Sequence, residues 1–257
     1  MSRRAPTWKM ESVEDCVRRQ TKMTARLRNS GSPNAITSEM SRCSASFCAV
    51  EHCLEGCHFG TFHRRVAALN SGLPLLKTHG GPYFAICIVH PLWEVAVGQL
   101  STANIPAVRQ WVQRRLSKLK QHLMVVGQFE VSLNINLDGE RYWAGEIQLI
   151  ASGSEREALV QAFSVEKKYR AKRPRQKMVE ITEVGTMDRQ FMYAQKRFFE
   201  QRVAYISKKT GRQDRNHLPL PENEWAEVDA WLLSLPLGTR AITYGCSRRG
   251  TTFFGRN

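Results

Sequence analysis

The chain has 257 residues, 42% of them hydrophobic, enough to core one large domain or two small ones. Its 38 Lys and Arg against 23 Asp and Glu give a formal net charge of +15, which favours a polyanionic partner, most simply nucleic acid. No run of about 18 apolar residues occurs, so no membrane span is expected. The N-terminus lacks an apolar secretory core, and seven cysteines is an odd number. Reduced thiols or a metal site in a cytoplasmic protein are therefore expected, rather than a disulfide framework.

Residues 1–42 are polar and rich in Ser, Thr and Arg, and read as a disordered basic arm. A short helix around Ser12–Leu27 is the structured option within it. Residues 43–77 begin with Cys43, Cys48, Cys53 and Cys57, interleaved with His52, His58 and His63. Four thiolates, or three with a histidine, could hold Zn²⁺ tetrahedrally. The alternative is a set of buried or unpaired cysteines. Cys16, Cys87 and Cys246 stand alone and read as packing residues.

Tyr83–Val89 is a continuous apolar run, a buried strand. Asn104 caps a helix expected from Ile105 to Leu123, with Val108, Trp111, Val112, Leu116, Leu119 and Leu123 forming its buried stripe. Its arginines and lysines read mainly as a solvated face. Val125–Ser152 reads as a hairpin turning at Asp138-Gly139. In its first strand Phe129, Val131, Leu133 and Ile135 alternate with polar residues. In its second, Glu146 and Gln148 share one face. Ser154–Ala162 reads as a helix and Met178–Val184 as a strand. Between them Lys167, Lys168, Arg170, Lys172, Arg173, Arg175 and Lys177 crowd eleven residues around Tyr169, a segment suited to gripping phosphates. Thr186–Ser207 reads as one long helix, on which Tyr193 and Lys196 lie three apart and Tyr205 and Lys208 repeat the spacing. A lysine one turn from a tyrosine favours phenolate and phosphate. His217–Pro221 is extended, Glu222–Leu235 is helical, and Ala241–Tyr244 is a last strand. The expected fold class is α+β: an antiparallel sheet of about five strands with helices packed on one face.

Four stretches in this order resemble the rolling-circle replication initiators of small plasmids, within the HUH endonuclease superfamily. The stretch CLEGCHFGTFHRR resembles a Cys-rich lead-in. YFAICIV, a helix and GQFEVSLN resemble the opening of the nuclease core. YWAGEIQLI resembles the family's W-x-x-H-x-H strand, with Glu146 and Gln148 where the two metal-binding histidines would stand. MYAQK resembles its Y-x-x-K nucleophile helix. The resemblance covers roughly residues 43–208. It implies a nuclease core over 78–208 and a helical extension over 209–257.

It also implies a DNA-binding plasmid replication initiation protein that nicks and rejoins single-stranded or hairpin origin DNA. Tyr193, or Tyr205, would be the nucleophile forming a 5′-phosphotyrosine, and Lys196 would stabilise charge on the phosphate. Glu146 and Gln148 would hold Mg²⁺ or Mn²⁺. The alternative is a non-catalytic DNA-binding regulator, or an inactivated initiator, that keeps the fold.

Overall fold

The computed structural model describes residues 11–30, 38, 40–50, 53–119, 122–164, 178–196, 199–249 and 252–255. Its centre is the expected hairpin. Strands β2 (Met124–Ile135) and β3 (Arg141–Ser152) pair antiparallel along their whole length, and both are buried almost throughout. β1 (Tyr83–Ala96) covers the other edge of β3, so β3 lies at the heart of the sheet. β4 (Val179–Glu183) adds outside β1.

The far edge of β2 is divided. Leu133–Ile135 pairs in parallel with β5 (Glu200–Ile206), whereas Val125–Gln128 pairs antiparallel with β7 (Ala241–Tyr244). β6 (Gln213–Pro219) closes the sheet on β5. The sheet is therefore mixed and has seven strands, with a separate hairpin of β8 (Cys246–Arg249) and β9 (Thr252–Gly255). The expected five-stranded, wholly antiparallel sheet is corrected on both counts.

Helices cover both faces, not one. The odd-numbered residues of β2 and β3, among them Phe129, Val131, Leu133, Trp143 and Ile147, form the main core. They pack against α5 (Ile105–Leu116), α6 (Arg156–Ala162) and α8 (Glu222–Leu233). Val108, Val112 and Leu116 of α5 are its buried stripe, as the spacing predicts, but the α-helix ends at Leu116 and gives way to a 3₁₀ turn over Ser117–Leu119. On the opposite face a smaller core joins Met124, Val126 and Ile150 to α4 (Leu73–His79), α7 (Met187–Ala194) and Phe253 of β9.

The N-terminal segment expected to be a disordered arm carries a regular helix, α1 (Val13–Asn29). Ser12 and Asp15 form a reciprocal capping box. Cys16, Gln20, Met23 and Leu27, at steps of four, three and four, are buried. Arg26 fastens this helix to α8 by a 2.7 Å ion pair with Asp229, and its guanidinium lies over Trp225. The many surrounding polar residues hide this stripe in the composition.

The long helix expected over Thr186–Ser207 is also corrected. α7 stops at Ala194, and residues 200–206 are β5. Around residue 200 the chain supports period 3.6 and period 2 equally. The open edge of β2 and the pairing with β6 decide for strand.

Candidate functional site

The even-numbered residues of β2 and β3 turn to the face covered by α4 and α7. Toward one end of the strands they are apolar. In the middle they are Gln128, Glu130, Ser132 and Asn134 on β2, and Glu146 and Gln148 on β3, all buried. Glu130 and Glu146 are direct partners in the β2–β3 register, as are Gln128 and Gln148. Side chains so placed have Cβ atoms roughly 5 Å apart, where like charges repel.

Two cations hold the carboxylates. Arg202 of β5 donates from Nη1 and Nη2 to Glu146 Oε2 and Oε1, each at 2.8 Å, and its Nε reaches Glu200 at 2.6 Å. Lys196, two residues past the end of α7, places Nζ 3.4 Å from Glu130 and 3.9 Å from the centre of the Tyr193 ring. The backbone of Lys196 accepts from the Gln128 side-chain amide, which also donates to Glu130. Gln128 Oε1 in turn accepts from Arg64 at 3.2 Å, and Arg64 pairs with Glu55. Glu55 is fully buried and bound by Arg64, Arg240 and the amide of Gly238.

The titration of these groups follows from their neighbours. Burial raises Glu130 to about 7, against the pull of Lys196 and with the push of Glu146. Burial also acts to raise Glu146, but Arg202 and Lys196 together hold it below the usual carboxylate range. Glu55, with two guanidiniums and two amides outweighing its burial, falls to about 2. Tyr193 departs from the expectation of a favoured phenolate. Burial raises its phenol above the ordinary value, and the opposing Lys196 charge does not cancel that.

Of the sequence-derived site residues, Glu146, Gln148, Tyr193 and Lys196 converge on this face. Tyr193 and Gln148 both line a cavity of about 190 Å³ that also touches Cys87, Glu180 and Gln190. Tyr205 is not on a helix with Lys208. It lies in β5, opposite Asp214 of β6, and its hydroxyl donates to that carboxylate at 3.2 Å. Lys167, Lys168, Arg170, Lys172, Arg173, Arg175 and Lys177 lie outside the described residues. Glu130, Arg202 and Glu55 were missed. Only Glu130 had a signal, in the alternation GQFEVSLN, whose polar members look solvent-facing in a half-buried strand but are enclosed here.

The expected Mg²⁺ or Mn²⁺ site does not fit this geometry. Both Glu146 oxygens are engaged by Arg202, and the Gln148 amide donates to Cys87 Sγ at 3.1 Å. The guanidinium occupies the coordination that a divalent cation would need.

The four early cysteines do fit a metal. Cys43, Cys48, Cys53 and Cys57 have all four Sγ atoms within 4.8 Å of one another. The separations are 3.8 Å for Cys43–Cys53, 4.0 Å for Cys48–Cys53 and 3.6 Å for Cys48–Cys57. A tetrahedron with Zn–S bonds of about 2.3 Å has an edge of about 3.8 Å, and a disulfide would need about 2.0 Å. The cluster could thus hold a metal ion such as zinc. Cys57 caps α3 (His58–Ala67), where the amide of Gly60 donates to its sulfur at 3.3 Å. Hydrogen bonds from Cys43 and Cys57 lower the Cys53 thiol, and burial raises Cys48. His63 is spent on the Ala45 carbonyl at 2.6 Å, and the backbone amide of His58 donates to Gln20. His52 lies outside the described residues. Of the other thiols, burial pushes Cys87 up to about 12 and Cys246 is enclosed in the smaller core, both as packing residues would be.

The fold and clusters define an α+β protein with a mixed, curled seven-stranded sheet, a buried charge layer on one face and a four-cysteine cluster. No family model, no curated protein and no solved structure matches the chain.

Proposed function

We propose that the chain is a DNA-binding plasmid replication initiation protein with a tyrosine nicking-and-joining site. The observation that carries this reading is the meeting of Tyr193 and Lys196 with Glu146 and Gln148 on one face of the central hairpin. The net charge of +15 supports a nucleic-acid partner. In this reading Tyr193 Oη attacks a DNA phosphorus and the bond to the departing 3′ oxygen breaks. The products are a 5′-phosphotyrosine and a free 3′-OH, which receives the proton that the phenol gives up. Lys196, against the Tyr193 ring, supplies positive charge at the phosphate, and no step is routed through a divalent cation. The four-cysteine cluster carries a structural Zn²⁺.

A non-catalytic DNA-binding protein of the same fold is the second reading. It is favoured by the closed Arg202–Glu146 pair and by the raised phenol of Tyr193. One experiment separates the two: incubation with single-stranded DNA, with and without chelator, read as a covalent adduct on a denaturing gel. The nicking reading expects an adduct that survives chelation, persists in Tyr205→Phe and is lost in Tyr193→Phe. DNA binding without any adduct overturns it in favour of the second reading. Loss of DNA binding altogether overturns both.

A further inference from the structure

A second cavity, with two arginines in its wall, lies on the α5 side of the sheet. It has a volume of about 300 Å³ and is bounded by α5, β7 and β8, with Arg109, Gln113, Thr243, Ser247 and Arg248 among its walls. No Asp or Glu lines it among the described residues.

Both arginines are held in place by backbone. Arg109 donates from Nε to the Ala241 carbonyl at 3.1 Å and from Nη2 to the Thr239 carbonyl. Arg248 donates from Nη2 to the Gly238 carbonyl at 3.2 Å. Its guanidinium lies so close over Gly238 that a Cβ there would fall 1.8 Å from Nη1. Glycine at 238, with φ +85°, is what lets the group lie down. These contacts fix the planes of the guanidiniums without neutralising them. Arg248 Nη1 is buried and has no hydrogen-bond partner among the described residues.

The acid that both arginines sense is Glu55, but its oxygens are committed to Arg64, Arg240 and the Gly238 amide. Burial lowers both guanidinium pKa values, and Arg109 adds its repulsion to Arg248. Two fixed guanidiniums on one cavity, with hydroxyl and amide donors and no carboxylate among the described lining residues, are set up to take an anion from outside. A tetrahedral oxyanion matches the planar donor fork and the surrounding hydroxyls.

We propose that the cavity walled by Arg109 and Arg248 binds a phosphate group. The group could belong to a nucleic-acid backbone or be free inorganic phosphate. Only the first source rests on the DNA-binding reading above, and neither depends on Tyr193.

The test uses the full chain as wild type, Arg248→Met and Arg248→Lys. Thermal melts are compared in inorganic phosphate and in chloride at matched ionic strength. Single-stranded DNA affinity is measured by fluorescence anisotropy over a salt series. Arg248→Met is expected to melt like wild type in chloride and to lose the upward shift that phosphate gives wild type. Its DNA affinity is expected to fall roughly threefold to tenfold, with the salt slope shallower by about 0.7, the value for one single-strand phosphate contact. Arg248→Lys, which keeps the charge, recovers part of both.

A phosphate shift without a DNA effect supports the site with free phosphate as its source. A DNA effect without a phosphate shift supports it with the backbone as its source. Absence of both overturns the proposal. Should Arg248→Met not fold, the wild type decides: no stabilisation by phosphate and no competition between phosphate and DNA overturns it equally. A missing covalent adduct beside an intact phosphate effect removes the nicking reading and leaves this site standing.

Discussion

Replacing Arg202 with methionine removes the cation that holds Glu146 while keeping most of the side-chain volume. The pair is bidentate at 2.8 Å, with side chains 13% and 3% exposed. Its loss leaves a buried carboxylate directly opposite Glu130, whose own pKa stands at about 7. Removing one partner of a buried ion pair costs about 3–5 kcal/mol, because the remaining charge is desolvated and uncompensated. Arg202→Met is therefore expected to lose that much near pH 8. The loss has a pH signature. Without Arg202 the folded-state pKa of Glu146 rises above its unfolded value, so its contribution is most favourable at low pH and is lost as pH rises. The deficit should shrink at pH 5. Adding Glu146→Leu removes the stranded charge and should restore most of the loss. Guanidinium chloride unfolding followed by circular dichroism at the two pH values measures all three chains. A deficit below about 1 kcal/mol that does not change with pH, or a double variant no better than the single one, would refute the clamp.

Purified protein is expected to carry about one equivalent of zinc, and chelation or Cys57→Ser should lower the melting temperature; less than about half an equivalent counts against the metal. Glu55 has its folded pKa lowered from 4.5 to about 2, so its stabilisation is present above pH 4.5 and is lost as pH falls through 2. The full effect is up to about 3 kcal/mol, and an acid-unfolding limb unchanged in Glu55→Gln would sink it. Gly127→Ala would put a Cβ 2.0 Å from the Gln148 carbonyl oxygen and 2.7 Å from the Leu149 Cα. Overpacking against backbone of that severity should cost about 3 kcal/mol or more, and a melting temperature within about 2 °C of wild type would show that the strands can part.

The elements legible in the sequence are those whose pattern and partners are local. The β2–β3 hairpin follows from alternation around Asp138-Gly139, and α5 from the Asn104 cap and its apolar spacing. The cysteine cluster could be read because four thiols within fifteen residues have few ways to meet. Non-local decisions were hidden. Thr186–Ser207 contains a helix of eight residues and a strand of seven, and it is the edge of β2 and the pairing with β6 that select the strand. The partners of Glu146 were also hidden. Arg202 is 56 residues away, and nothing in its neighbourhood marks it as buried. The polar half of GQFEVSLN could be read as alternating but not as enclosed, since the layer that covers it comes from elsewhere in the chain.

The docking of the cysteine loop sets a schedule for synthesis. Leu54 bridges Pro236, the amide of Glu55 donates to the Leu235 carbonyl, and Leu237 donates back to Cys53. The loop therefore leaves the ribosome 182 residues ahead of the segment that seats it. At about 5–20 residues per second that is an interval of roughly 10 to 40 s. During it the four thiols are synthesised and open to oxidants while their lid does not yet exist. Early metal capture would guard them through that interval, so a shortage of metal should harm the nascent chain more than the finished protein.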